Sequence, residues 1–180
     1  MDELVIKEIG LRSVNVDEID TAMQFIDEAK KRLKSLGIDQ WQKGYPDKAC
    51  IIRDVMSKKG YFLTERNDIA GYLCIDFDGE PAYNELQGHW RLNEPYVVVH
   101  RMAIGNAFRG KGMANFAFRL VEKLALRNGV SCFRVDTDVE NQTMQHILKK
   151  NGFYYCGIIC FDNSDKIAFE KAIIKVHDDL

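Results

Sequence analysis

Ile104-Gly105-Asn106-Ala107-Phe108-Arg109-Gly110-Lys111-Gly112-Met113-Ala114 is the stretch on which the reading of this chain turns. Upstream lies Tyr96 to Ile104, with Val97, Val98 and Val99 β-branched in a row, which predicts a strand. Downstream, Met113, Phe116, Ala117, Leu120, Val121, Leu124 and Ala125 recur at helical spacing, and Gly129 ends the run. A strand therefore feeds a glycine-rich turn that opens a helix. Such a turn aims several unpaired backbone N–H groups and the positive helix end at one spot, which suits phosphate. Glycine matters there because a Cβ would block close approach of the backbone to a ligand. An ordinary tight turn before a helix is the plainer alternative.

Two common phosphate motifs stop short. Gly105, Gly110 and Lys111 fit the first seven positions of a P-loop, but the eighth is Gly112, where a hydroxyl must hold magnesium. Gly110 and Gly112 open a dinucleotide fingerprint, but its third glycine position is Asn115, and no repeated βαβ series follows.

Working outward, Leu4 to Ile9 predicts a first strand. Ile19, Ala22, Met23, Ile26, Ala29, Leu33 and Leu36 form a helical stripe that Gly37 stops. A second helix is expected between Pro46 and Gly60. Tyr61–Thr64 and Ile69–Phe77 read as a hairpin turned at Asn67-Asp68. Asp78 to Pro95 reads as a functional loop. Beyond the central helix come a strand at Cys132–Thr137, a short helix at Asn141–Lys150, and strands at Phe153–Phe161 and Ile167–Val176, turned at Asp162–Asp165. The order β-α-α-β-β-β-α-β-α-β-β predicts an α/β (α+β) fold with a mixed sheet.

The chain has 180 residues, 46% of them hydrophobic and 29% charged, which fits one globular domain over residues 1–180 and excludes disorder as its main state. Its 25 basic and 27 acidic residues leave a net charge of −2, against a dedicated nucleic-acid binder. No run approaches the roughly 20 apolar residues of a membrane helix. The acidic start Met1-Asp2-Glu3 lacks the basic beginning of a signal peptide. Five scattered cysteines, an odd count, predict reduced thiols and a cytoplasmic location. Cys156 and Cys160 have no matching pair at ligand spacing, so no metal is expected there.

Arg109-x-x-Gly112-x-Ala114 resembles motif A, [Q/R]-x-x-G-x-[G/A], of the GNAT superfamily of acyl-CoA-dependent N-acetyltransferases. Arg101-Met102-Ala103-Ile104 resembles its fourth strand. Asn141-x-x-Met144 and Leu148-Lys149-Lys150-Asn151-Gly152-Phe153 resemble its motif B helix with the Gly-Phe ending. The order of elements agrees along nearly the whole chain and implies a mostly antiparallel sheet flanked by helices. The resemblance implies an acyltransferase, with acetyl-CoA as co-substrate and no metal. In that family, strands four and five splay apart and admit the pantetheine arm. Met102, Ala103 and Ile104 would then pair with the arm through their backbone. Arg109, Gly110, Lys111, Gly112, Met113 and Ala114 would hold the pyrophosphate, and Asn141 would contact the arm.

The acceptor is expected to be a primary amine of a small molecule or a peptide, which must lose a proton before it attacks. His100, on the fourth strand, matches a position used by some members as the base; a structural histidine is the alternative. Many members carry an acidic tyrosine where this chain has Leu148. Tyr154 and Tyr155 stand nearby, and Tyr155 is the candidate acid, unless water serves. Trp41 and Tyr45 in one aromatic segment, and Tyr83 and Glu85 in another, are expected to line the acceptor pocket, since an aromatic wall with a carboxylate suits a cation. Trp41 and Tyr45 have an alternative role in anchoring the helix pair. Two other functions stay open: a protein N-terminal acetyltransferase, and a non-catalytic acyl-CoA sensor whose only support is Leu148. The superfamily's terminal strand pair often mediates dimers, so the resemblance allows a homodimer.

Overall fold

The computed structural model describes residues 5, 6, 8–161 and 164–175. Its strands are β1 (Val5–Ile6), β2 (Ile9–Ser13), β3 (Gly60–Glu65), β4 (Asp68–Asp76), β5 (Gln87–Gly88), β6 (Tyr96–Ile104), β7 (Cys132–Asp138), β8 (Tyr154–Phe161) and β9 (Ser164–Ala172). Its helices are α1 (Ile19–Ser35), α2 (Lys48–Met56), α3 (Met113–Arg127) and α4 (Gln142–Lys150). The strands described form one sheet in the order β1-β2-β3-β4-β6-β7-β9-β8-β5. Only β6 and β7 run parallel, joined by the crossover through α3; the other neighbours are antiparallel.

The mixed, mostly antiparallel sheet is the expected one, with local differences. The first apolar run divides into β1 and β2, with Glu8 between them at φ 66. The expected loop at 78–95 contains β5, which pairs with β8. Glu65 pairs with Asp68, so the hairpin turns at Arg66-Asn67, one residue early, and Arg66 takes the left-handed backbone (φ 55). Ser164 and Asp165 are strand, paired with Phe161 and Cys160. Leu4, Lys7, Asp162, Asn163, Val176 and His177 lie outside the described residues.

Strand alternation sorts the core. Leu63, Leu73, Val97, Val99, Phe133 and Val135 face α3, whose Met113, Ala117, Phe118, Leu120 and Val121 bury the stripe seen in the sequence; Leu148 of α4 joins them. On the opposite face, Phe62, Tyr72 and Ala103 pack under Ile19, Ala22 and Ile26 of α1 and Ile51 and Val55 of α2. A smaller cluster holds Tyr83, Val98, Ile159 and Ala168.

Two features of β6 position the site. It pairs with β7 only at Tyr96, Val97 and Val98, opposite Cys132, Phe133 and Arg134. Beyond that point β6 stays on β4 and β7 stays on β9, so Val99–Ile104 and Val135–Asp138 face each other unpaired. The second feature is a bulge. Tyr72 pairs with Ala103 and Cys74 with His100, so β6 carries one extra residue there, and Arg101 sits at φ 53. The extra residue lets His100 and Ala103 share the face away from α3.

The β7–β9–β8 half is tied by Glu170. It accepts from Arg134 Nε (2.9 Å), Tyr154 Oη (2.7 Å) and the backbone N–H groups of Arg91 (2.9 Å) and Leu92 (3.1 Å). The Arg134 guanidinium lies between the Trp90 and Tyr96 rings, 4.2 and 4.1 Å from their centroids. Burial pushes the Glu170 carboxyl up, but these donors outweigh it and hold it below the ordinary value. Glu170→Ala would leave Arg134 buried without its counter-ion, and a loss of about 3–5 kcal/mol is expected in urea unfolding. The depressed pKa adds stability that is present above the unfolded glutamate value of about 4.3 and lost as pH falls further toward the folded value. Glu170→Gln is therefore expected to lose less stability than the wild-type chain across that acid window.

Candidate active site

The turn after β6 is built as the sequence implies. Gly105 N–H donates to Ala70 O (2.8 Å), and a Cβ at Gly105 would meet the Phe25 ring at 2.7 Å, so the chain leaves the sheet where no side chain fits. A short 3-10 turn, Asn106–Phe108, follows, and Gly110 and Gly112 take left-handed backbone (φ 75 and 74) before α3 begins. Among the described residues, the N–H groups of residues 110–114 have no protein acceptor. Arg32 of α1 reaches the same place: its Nη1 donates to Asn106 Oδ1 (3.0 Å), and Arg32 and Arg109 line one surface recess. Burial and the charge of Arg109 both lower the Arg32 pKa, so two cations are crowded beside free N–H donors. That combination favours an anion. Sequence reading missed Arg32 because helical periodicity shows it only as a polar position.

From this loop a cavity of about 570 Å³ runs between the parted strands. Met102, Ile104, Gly110, Gly112, Met113, Ala114 and Asn115 line one end, and Trp41, Tyr45, Glu80, His100, Asp136 and Asp138 the other. Phe133 and Val135 face α3, so Asp136 and Asp138 point to the opposite face, the one His100 takes. Asp136 Oδ2 accepts from Tyr83 Oη (2.8 Å). Burial raises the Asp136 pKa and outweighs the Tyr83 hydrogen bond and the charge of Lys166, which lower it; the charge of Glu80 adds to the rise. Asp138 is matched by Lys166 Nζ (2.9 Å). His100 Nε2 lies 3.5 Å from Glu80 Oε2. Burial and the charge of Arg101 lower the His100 pKa to about 4, so the ring is neutral at pH 7.

Arg101 borders the cavity at the bulge, and its guanidinium is engaged by side chains of α2 and the α1–α2 loop. Its Nε and Nη2 donate to Asp54 (2.8 and 2.5 Å), its Nη1 to Tyr45 Oη (2.8 Å), and Tyr72 Oη donates to Asp54 (2.7 Å). Sequence reading missed Asp54, which periodicity shows as one more polar helix position; only the fold brings it under β6.

The structure brings together His100, Met102, Ile104, Arg109, Gly110, Gly112, Met113, Ala114, Asn141, Trp41 and Tyr45 around the cavity. Ala103 shares the face of His100 but is fully buried under the α1–α2 pair and is not part of the cavity lining, and Lys111 points toward Glu65 (4.0 Å). Asn141 caps α4 through Met144 N–H (3.1 Å) and donates to Gln40 (2.9 Å), which joins the α1–α2 loop to α4. Three expected residues fall elsewhere. Tyr155 lies outside the cavity lining, half exposed with its ring against Phe169, because β9 stands between β8 and the opening. Tyr83 is buried against Trp90 and Tyr96 and reaches the site only through its hydroxyl on Asp136. Glu85 is exposed, and the carboxylate of that segment in the cavity is Glu80.

The sequence matches the Acetyltransferase (GNAT) family over residues 26–153, which spans the loop, the parted strands and α4. The chain belongs to the GNAT acetyltransferase family. A GNAT-family acetyltransferase structure from Streptococcus agalactiae 2603 is 34% identical, superposes with a TM-score of 0.87, and covers 95% of this chain and 99% of its own. One from Listeria monocytogenes 4b F2365 is 20% identical, with a TM-score of 0.72 and coverage of 91% and 94%. RimL, a ribosomal L7/L12 alpha-N-protein acetyltransferase in complex with coenzyme A, is 16% identical, with a TM-score of 0.66 and coverage of 94% and 96%. At that identity the likeness is one of fold. No curated protein sequence matches the chain.

This GNAT chain is therefore an acyltransferase, and GNAT acetyltransferases use acetyl-CoA. The residues present fit that co-substrate: free N–H donors and two cations suit a pyrophosphate, and the unpaired strand edges suit an amide-bearing arm. Coenzyme A is expected to raise the melting temperature, by about 2.7 kcal/mol of added stability at a hundredfold excess over Kd. Gly112→Asp places bulk and negative charge at the free N–H groups and should abolish that shift in thermal scans. A shift with ATP and magnesium but none with coenzyme A would contradict the assignment.

Proposed function

We propose that this GNAT enzyme transfers an acetyl group from acetyl-CoA to a primary amine of a small molecule or peptide, by direct attack and without a covalent enzyme intermediate. The observation that carries the reading is one continuous cavity, with free N–H groups and arginines at one end and the carboxylates Glu80 and Asp136 at the other. When bound, acetyl-CoA supplies an activated acyl thioester. The N–H groups of residues 110–114, with Arg32 and Arg109, hold its phosphates, and backbone groups of Met102 and Ile104 align its arm along β6. The cysteines of the chain are all free thiols, which supports a cytoplasmic location. Among the described residues no helix is long and apolar enough to cross a membrane.

The chain's own residues must take a proton from the amine. An alkylammonium has a pKa near 10.4, so forming the free amine at pH 7 costs about 4.6 kcal/mol. Burial supports one of the two candidate acceptors over the other. It opposes a charge on His100, and Arg101 beside it opposes that charge again. It favours the neutral, protonated form of Asp136. Tyr83 occupies Asp136 Oδ2, which leaves Oδ1 to receive the proton. Asp136 is then the base, Tyr83 its positioning residue, and His100 a neutral wall of the chamber. On this reading Asp136 takes the role of base that the resemblance implied for His100.

Asp136→Asn is expected to lower kcat/KM by roughly 10²-fold or more, the usual cost of losing a general base. His100→Gln should cost less than about tenfold, below the range for a general base, and leave the pH profile between 6 and 7.5 unchanged. Release of free thiol from acetyl-CoA, followed against pH for both variants, checks the assignment. A limb near pH 6–7.5 that disappears in His100→Gln would return the role to the histidine.

A further inference from the structure

The charges around the acceptor half of the cavity do not balance. Asp138 has Lys166, and Asp39 at the rim has Lys43 (3.2 Å). Arg101 is spent on Asp54 and Tyr45. That leaves Glu80 and Asp136. Glu80 accepts from the Ala82 N–H (3.0 Å) and faces His100, which is neutral; Asp136 accepts from Tyr83, also neutral. Two carboxylates thus share one largely buried chamber without an ion pair of their own; the cation whose charge reaches Asp136, Lys166, is bound to Asp138. Among the described residues, the His100 ring that faces the same space has no hydrogen bond closer than its 3.5 Å approach to Glu80. The remaining cations of the cavity, Arg32 and Arg109, stand at its other end. Of the cations lining this half, Lys166 is held by Asp138 and Arg101 by Asp54, so neither is left over for a substrate carboxylate.

Size and shape narrow the ligand further. The volume of about 570 Å³ covers both halves, so an acyl-CoA arm and an acceptor must share a space that ordinarily holds one drug-sized ligand. Trp41 and Tyr45 line the chamber; the Arg101 guanidinium already stands 6.0 Å from the Tyr45 ring centroid, and the Trp41 ring is the one that can attract a substrate cation.

We propose that the acceptor is a compact, strongly basic amine with no neighbouring carboxylate, an alkylamine, arylalkylamine or diamine, held as its ammonium form by Glu80 and Asp136. This rests on the reading of the chain as an N-acetyltransferase and names the substrate class of that site. A free amino acid is disfavoured because its carboxylate would meet Glu80 and Asp136. A peptide amino terminus is disfavoured because its amine, with a pKa of about 7.7–8.0, carries less positive charge near neutral pH, and its chain needs more room.

The full chain with acetyl-CoA is assayed by free-thiol release against phenethylamine, 1,4-diaminobutane, free lysine and a hexapeptide with an amino-terminal serine. The two amines are expected to show kcat/KM at least tenfold above the lysine and the peptide. Glu80→Gln should raise the amine KM by roughly 10- to 100-fold, the loss of one charge-assisted bond, with the acetyl-CoA Kd unchanged in calorimetry. Phenethyl-trimethylammonium, which cannot be acetylated, gives a binding readout that needs neither turnover nor a variant; it should compete with the amine or, without turnover, bind in calorimetry. Better turnover of the peptide or the lysine, an unchanged KM in a folded Glu80→Gln, or no binding of the quaternary ion overturns the assignment. If acetyl-CoA still binds and an acetyl group is still transferred, only the substrate class has failed; if acetyl-CoA does not bind, the acetyltransferase reading has failed with it.

Discussion

The parting of β6 from β7 after Val98 is the constraint on which the rest depends. A sheet gains by pairing its strands, and an unpaired stretch inside one forgoes that gain. Within that stretch β6 keeps its pairing to β4 through the bulge at Arg101. A non-glycine residue at φ 53 carries a backbone cost of about 1–3 kcal/mol. The ion pair with Asp54, reinforced by Tyr45 and Tyr72, opposes that cost and ties α2, the α1–α2 loop and β4 to the same point of β6. The bulge also resets the strand's alternation. His100 faces the cavity side while Ala103 still packs under α1, an arrangement a regular strand could not give.

The second half of the sheet holds the other lip of the opening. Glu170 on β9 gathers Arg134 of β7, Tyr154 of β8 and two backbone donors of the preceding loop. The Arg134 guanidinium is packed between two aromatic rings, so β7 is held from the side away from β6. With both lips fixed by buried charge, the gap between them does not close by simple pairing. The chamber inherits its low-dielectric walls from the same packing, which is why the Asp136 pKa rises and the His100 pKa falls, both toward the neutral form.

Elements whose stripes are long and regular were legible in the sequence. The β6–loop–α3 unit was read at nearly its observed bounds because β-branched run, glycines and helical stripe all agree there. What escaped reading was whatever depends on distant partners. Asp54 is an unremarkable polar position until α2 packs under β4. Arg32 reaches the glycine loop only when α1 lies beside it. Asp136 closes a strand as any aspartate might, and its burial by Tyr83 joins residues 53 positions apart in the chain. Tyr155 and Glu85 were misplaced for a related reason: local alternation gives the face of a strand or loop but not how many strands separate it from the site. Trp41 and Tyr45, by contrast, follow from an aromatic-rich loop between two helices that the topology brings to the cavity mouth.

Hydrogen–deuterium exchange along β6, with and without saturating acetyl-CoA, tests the central claim most directly. If the edge of residues 99–104 is unpaired toward β7 and serves as the seat of the arm, exchange there slows on addition of acetyl-CoA, together with residues 110–114, while residues 96–98, already paired with β7, do not change. Unchanged exchange over 99–104 at full saturation would contradict the account, since the arm would then lie elsewhere than in the parting of the two strands.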